Sequence, residues 1–478
     1  MADCIQETFE FQGVDGRRVE ADFGGGFLSS DGGGLVLREL ESRKGLVGRL
    51  AGCFWDGRDQ RYVEHRLDQL LRQRILSLAL GYEDLNDADR LRLDPLQALL
   101  AGKEDVLGQD RPLERDKGKA LAAHSTLNRM ELGAHRTDER YKKIAPSPEK
   151  IEALLIQEGV KAIPRRSRQI VLDADATDDP LHGAQEGRFF HGYYRHYCYL
   201  PLYVFCGNIP LYARLRDAKR DASEGTVEAL EKIVAAIRRR FGPKVRIILR
   251  ADSGFAREPI MAWCEANGVH YCLGLARNSR LEAALAGAFA ALRERIGGGE
   301  AAAPCREFLD FRYRTLDSWS RERRVVGKAE VLPAGDNPRF VVTSLPKEGF
   351  TGERPGRFAA AALYEKFYCA RGDMENRVKE QQLDMFADRT STHWMASNQL
   401  RLWFSAFAHL LISVLRAEVL RGTALARATV GEIRLRLFKI GARVRVSCRR
   451  IRIELASCYP LHEIFAKAHR RLVAMAPG

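Results

Sequence analysis

The 478-residue sequence predicts an α/β protein: a core of mixed strands and helices interrupted by a β-strand insertion, with a mainly helical domain ahead of it and a mixed region after it. Three observations predict this. The chain is too long for one ordinary core, so two or three domains are expected. Between residues 35 and 140 apolar side chains recur at steps of three and four, the helical period. From residue 169 to residue 276 the pattern changes to short apolar runs alternating with amphipathic stretches, the signature of interleaved strands and helices.

Taken in order, residues 61–80 and 96–100 carry the helical spacing, and Gly81-Tyr82-Glu83-Asp84-Leu85-Asn86-Asp87 divides them as a turn and a fresh helix start. Asp and Asn favour such positions because their side chains bond nearby backbone N–H groups. Ser125 to Arg129 opens another short helix, and Ser147 before Pro148 has the chemistry of a cap and a first helical residue. Residues 170–174, 193–205 and 210–215 then read as three strands, with Gly207-Asn208 as a hairpin turn. A helix over 226–241, a strand over 245–249, a helix over 259–266 and a strand over 269–275 follow. This order of strands and helices is the one used by ribonuclease-H-like nuclease cores. A helical stretch at 281–295 leads to three strand-like pieces, 308–314, 324–331 and 340–343, after which helical pattern returns over 358–386 and again over 398–420. The expected division is 1–165 (helical), 166–295 (first part of the core), 296–355 (β insertion), 356–395 (helix completing the core) and 396–478 (helical and basic). No internal repeat is apparent, and Gly297-Gly298-Gly299 is the one short low-complexity linker.

Lysine and arginine outnumber aspartate and glutamate by 77 to 63, a formal charge of +14. Such an excess favours a polyanionic partner, nucleic acid before an anionic membrane surface. No uninterrupted apolar run reaches the roughly 18 residues a spanning helix needs, since His409 and Arg416 bracket 410–415. Residues 1–11 carry acids and no apolar block of the secretory kind, so a cytoplasmic location is expected. The ten cysteines include no CxxC pair, which argues against a zinc ribbon or a disulfide framework. His191, His196 and Cys198 alternate with Tyr193, Tyr197 and Tyr199 and read as a strand rather than as metal ligands.

Three acids stand where a fold could gather them. Asp175 ends the first apolar run, Asp252 follows another in Arg250-Ala251-Asp252-Ser253-Gly254-Phe255, and Glu375 lies in the helical segment after the insertion. Carboxylates at the ends of neighbouring strands face one cleft in open α/β sheets. Asp173 points to the same side of its strand as Asp175, and Asp175 is preferred because Ala176 and Thr177 follow it. Phosphodiester cleavage needs an activated water and a neutralised leaving oxygen, and two divalent ions on hard carboxylate oxygens supply both. Three clustered acids repel one another, so their affinity for metal should weaken as pH falls. Tyr368, Arg371, Glu375, Lys379 and Gln382 follow at steps of three, four, four and three, one face of a helix. A phenol, a guanidinium and an ammonium beside a carboxylate suit a phosphate; the alternative is a solvated face with an ordinary Glu375–Lys379 pair. Gly372 points to a local break in that helix.

These segments together resemble bacterial insertion-sequence transposases of the DDE type, in the subgroup marked by Y-x2-R-x3-E-x6-K and, within it, the group named IS thirteen eighty. Tyr368, Arg371 and Glu375 match the signature; Gln382 stands at its Lys position, with Lys379 one turn earlier. Gly81-Tyr82-Glu83-Asp84, Ser125-Thr126-Leu127-Asn128-Arg129, His182-Gly183-Ala184-Gln185-Glu186 and Tyr199-Leu200-Pro201-Leu202-Tyr203 look like the same family. The resemblance spans about residue 25 to the end. It implies Asp175, Asp252 and Glu375 as catalytic metal ligands, Mg²⁺ (with Mn²⁺ as a substitute) as cofactor, terminal inverted repeats and target DNA as partners, a homodimer, and cut-and-paste chemistry through free 3′ hydroxyls and a hairpin step. Related enzymes stack a flipped base on an aromatic residue, which puts Trp319 among the expected DNA contacts; burial in a small sheet is the other reading of it. Arg443, Arg445, Arg449, Arg450 and Arg452 interleave with apolar residues, a pattern fit for phosphates or for a plain solvated strand. Two other readings use the same residues: a ribonuclease-H-like nuclease without strand transfer, and an inactive transposase-derived DNA-binding protein.

Overall fold

The structure is a computed structural model and describes residues 8–134, 143–299 and 302–476. The end of the helical stretch expected to reach residue 140, and most of the N-terminal segment 1–11, lie outside the described residues. The chain divides into two compact units, Met1–Ser147 with Leu411–Gly478, and Pro148–Leu410.

The second unit is built on a mixed sheet whose strands are β1 (Gln169–Ala176), β2 (Leu202–Cys206), β3 (Ile209–Arg214), β4 (Arg246–Ala251), β5 (His270–Leu275), β6 (Cys305–Tyr313), β7 (Arg323–Leu332) and β8 (Arg339–Thr343). Their order across the sheet is β3-β2-β1-β4-β5-β8-β7-β6. β1, β4 and β5 run parallel, and the others pair antiparallel. Parallel neighbours need crossovers, and the helices Thr226–Phe241 and Glu258–Ala266 supply them. Pleat alternation then sorts the apolar side chains. Ile247 and Leu249 join Ala229, Leu230 and Ile233 in one core, while Ile248 and Cys272 face the other way and pack with Phe358 and Leu363. The helical segment after the insertion is thus seated on the opposite face of the sheet from the crossover helices.

Three details differ from the sequence reading. The strand expected over 193–205 is two, His196–Tyr199 and Leu202–Cys206, because Pro201 has no N–H to give a ladder; residues 192–195 form a hairpin turn, with Arg195 at φ 61°. The strands of the expected insertion do not stand apart: β8 pairs with β5 and extends the same sheet, which satisfies an edge that would otherwise be open. A helix runs from Met395 to Val419 with mean hydropathy 1.4, long and apolar enough by length and composition to cross a membrane; 83% of its most apolar stretch is buried inside the protein. His409 and Arg416 interrupt its apolar run without interrupting the helix.

The first unit is mainly helical, with Gly34–Lys44, Leu67–Leu80, Pro95–Leu100 and His124–Leu132 among its helices. Gly81, at φ 98°, closes the second of these and Asp84 caps the next turn through the Asn86 N–H. Leu28–Ser29 pairs with Ala442–Ser447, which pairs with Arg450–Leu455. Fully buried Asp31 accepts from the Tyr82 hydroxyl (2.5 Å), Gln97 Nε2 (2.7 Å) and Lys439 Nζ (2.6 Å), so residues from both ends of the chain satisfy one carboxylate.

Candidate active site

β1 and β4 are adjacent and parallel, and their register pairs Asp173 with Arg250. Two residues further along each strand stand Asp175 and Asp252, so the register carries both acids to neighbouring positions at the carboxyl ends of the strands. Asp252 Oδ1 accepts from the Gly254 N–H (2.9 Å) and holds the turn that leaves β4. Asp173 is not interchangeable with Asp175: it is buried and gripped through both oxygens by Arg250, at 2.5 and 2.9 Å. Arg250 also donates to the Phe367 carbonyl (2.6 Å), which ties the helical segment after the insertion to the sheet.

That segment, Ala360 to Asp384, is not one regular helix. It opens to a π-helical turn at Leu363–Tyr368, tightens to 3-10 at Cys369–Arg371, is α-helical over Gly372–Lys379 and widens again at Glu380–Asp384. Such departures re-aim side chains, and the tight turn ends at Gly372, where the sequence pointed to a break. Arg371 donates to Glu375 Oε1 (2.9 Å) and has a nitrogen 3.9 Å from Asp175 Oδ2. The Tyr368 hydroxyl reaches β5: a Cβ built on Gly274 would lie 2.5 Å from it and 3.1 Å from the Asp252 carbonyl carbon. Gly274 and Arg250 are positioning residues that the sequence reading did not single out. Arg250 lay in a motif chosen for its Asp, and nothing marked Gly274 as a close approach.

The electrostatics follow from this crowding. Burial, chiefly, pushes the Asp175 carboxyl up to about 7; Arg371 opposes this, and the charges of Asp252 and Glu375 add to it. Burial works against the Arg371 charge, yet Asp175, Tyr368, Glu375 and Asp252 leave its pKa raised. Asp175, Asp252, Glu375, Tyr368 and Arg371 therefore form one interacting cluster, with the Arg371 guanidinium set among the acids.

The family model described as transposase DDE domain group 1 matches residues 11–477. The chain belongs to the DDE transposases. No curated protein matches it. Among solved structures it is similar to the piggyBac transposase in a synaptic complex with hairpin DNA, with 10% identity, a TM-score of 0.38, and coverage of 80% of this chain and 75% of that one.

In the transposase, the remaining expected contacts fall in different places. Lys379 is exposed on the α-helical stretch. Gln382 turns inward and donates Nε2 to the Asp178 carbonyl and to Asp179 Oδ1, both at 2.9 Å. Trp319 is 3% exposed, packed edge-on against Tyr313 with the Arg323 guanidinium over its ring, so that ring belongs to the core and has no face open to a base. Among the described residues no group of three His, Cys, Asp or Glu is drawn close enough to hold an ion, Arg371 lying between Asp175 and Glu375. The donor set nevertheless fits a hard divalent cation: three carboxylates, one of them raised by burial and by its neighbours' negative charge, make a site short of positive charge.

Proposed function

We propose that this transposase is a YREK-type enzyme of the IS thirteen eighty group, built on a ribonuclease-H-like core. It binds the terminal inverted repeats of a bacterial insertion sequence, cleaves at their ends and transfers the 3′ ends to target DNA as a homodimer. The observation that carries the reading is the register of β1 and β4, which sets Asp175 beside Asp252, with Arg371 between Asp175 and Glu375. These three acids would hold Mg²⁺, with Mn²⁺ as a substitute, and the ion would supply Lewis-acid neutralisation of the charge on the scissile phosphate.

The chain's own side chains supply the rest. Arg371 is a fork able to grip a phosphate through two nitrogens once the acids are satisfied otherwise. Tyr368 offers a hydroxyl donor beside Asp252, and Lys379, exposed two turns from Arg371, is the cation we assign to a neighbouring phosphate in place of the signature Lys. The hairpin over 442–455, which pairs Arg445 with Arg452, adds charge for DNA backbone in the first unit.

The test is a cleavage assay on duplexes carrying the element's flanking ends, with Mg²⁺ or EDTA, for the wild type and for Asp175→Asn, Asp252→Asn and Glu375→Gln. Metal-dependent cuts at the element boundary, lost in all three variants while DNA binding persists, support the assignment. Cleavage surviving in Glu375→Gln removes that residue from it. Cleavage without strand-transfer products supports a plain nuclease instead.

A further inference from the structure

Four residues after Asp175, β1 gives way to the short strand Asp179–Pro180, which pairs with His196–Tyr199, and this strand pairs in turn with Phe189–His191. The resulting hairpin is anchored at its base. Cys198 is buried with Leu200 and Ala218, the His196 ring nitrogen lies 2.7 Å from Asp178 Oδ2, and the Tyr199 hydroxyl bonds the Glu186 carbonyl. Its outer part is the reverse of a core. Tyr193 at the tip is 83% exposed, Phe190 48% and Tyr197 45%, and the last two sit directly opposite each other with ring centroids 5.6 Å apart. Tyr193 packs edge-on against Tyr194, which is half-buried over His191. The bond from His196 to Asp178 and the pairing of Asp179 with Tyr199 fasten the hairpin to the chain three and four residues beyond Asp175, which sets it at the edge of the acid cluster.

Exposed rings in this number are costly in water unless something covers them. The cations among them narrow the occupant. Arg188 lies over the Tyr197 ring at 4.8 Å, Lys219 over Phe189 at 5.5 Å, and Arg195 stands exposed beside Tyr193. Rings interleaved with cations match a strand of unpaired nucleotides, whose bases stack while their phosphates meet the charges. A duplex keeps its bases stacked on one another and offers such rings no free base face. Given the proposed function, we infer that the hairpin over 189–199 is a stacking platform for unpaired DNA beside the acid cluster, with Tyr193, Phe190 and Tyr197 as its base-contacting rings.

The test measures binding of the full-length protein, in EDTA, to fluorescent dT12 and to a twelve-unit abasic backbone of equal charge. Wild type should prefer dT12 by roughly 5- to 150-fold, the range that stacking on one base gives. Tyr193→Ala and the Phe190→Ala/Tyr197→Ala pair should shrink that preference several-fold while leaving the abasic backbone bound as before. Tyr193→Phe should restore it, since a phenyl ring stacks as a phenol does. Equal binding of both oligonucleotides by wild type, or an unchanged preference in the alanine variants, overturns the inference. So does a change of sedimentation mass in those variants without change in dT12 affinity, which would make the hairpin a contact between copies of the chain. Boundary cleavage by a wild type without base preference refutes the platform alone. A base preference without any cleavage refutes the proposed function alone.

Discussion

At position 274 no side chain fits. The space its Cβ would take is used by the Tyr368 hydroxyl at 2.5 Å and the Ser253 nitrogen at 2.9 Å. Overpacking of this kind costs about 1–3 kcal/mol, and here the strain falls on Tyr368 and on the turn that carries Asp252. Gly274→Ala should therefore lower the cleavage rate at least tenfold while DNA affinity changes little, which a paired binding and cleavage titration would show. Asp179 is a second residue with an unmet need. It is fully buried, one oxygen accepts from Gln382 and the other has no partner, and burial, ahead of its neighbours' charges, pushes its carboxyl up to about 8. Unfolded, it would ionise near 3.8, so between about pH 4 and pH 8 the folded protein holds a proton that the unfolded chain has released. Stability then falls as pH rises through that window. Asp179→Asn keeps the acceptor for Gln382 and removes the titration. It should raise stability more at pH 8 than at pH 5, with the gap growing by up to about 1.4 kcal/mol for each pH unit between them, measurable as a difference in denaturant midpoint at the two pH values; equal effects at both would refute it.

Among elements, the join between β4 and the helical segment depends on Arg250, which grips Asp173 with two nitrogens and Phe367 with a third. Arg250→Ala would leave Asp173 buried and unpaired, a loss of about 3–5 kcal/mol, and Arg250→Lys would keep the charge but not the fork. Both should lower the thermal midpoint, alanine more, and lysine should cut cleavage more than its stability loss explains, because Tyr368 follows Phe367. Element type was legible wherever one period dominated. The helix expected over 226–241 is found over those residues, and, apart from the strand divided at Pro201, the core strands differ from expectation by at most three residues at their ends. What one sequence could not show was set by distant partners. The break at Pro201 looks like a continuous aromatic run until the ladder is drawn. The pairing of β8 with β5 joins segments 65 or more residues apart in the chain. The π turns over Leu363–Tyr368 and Glu380–Asp384 depart from the ideal helix wheel that put Gln382 on the face of Arg371, and its amide is in fact spent on Asp178 and Asp179.

For the whole molecule, the proposed assignment of a metal to the acid cluster links that metal to stability. An ion that binds only the folded protein stabilises it by about 2.7 kcal/mol at one hundred times its Kd. Mg²⁺ should therefore raise the thermal midpoint of the wild type, and the rise should vanish in Asp175→Asn and Glu375→Gln; a rise kept in both would locate the ion elsewhere. The order in which the cluster is drawn from the chain has a further consequence. Its members come from positions 175, 252 and 375, and the segment bearing the last is seated by Phe358 and Leu363 on a sheet to which β6, β7 and β8 have already been added. Synthesis runs from the N-terminus, and domains form as their residues emerge. On the proposed assignment, a ribosome that stalls or shifts frame anywhere before Glu375 releases a chain that lacks at least the third acid. Truncated copies of such a gene would be silent passengers in the genome, never uncontrolled cutters of it.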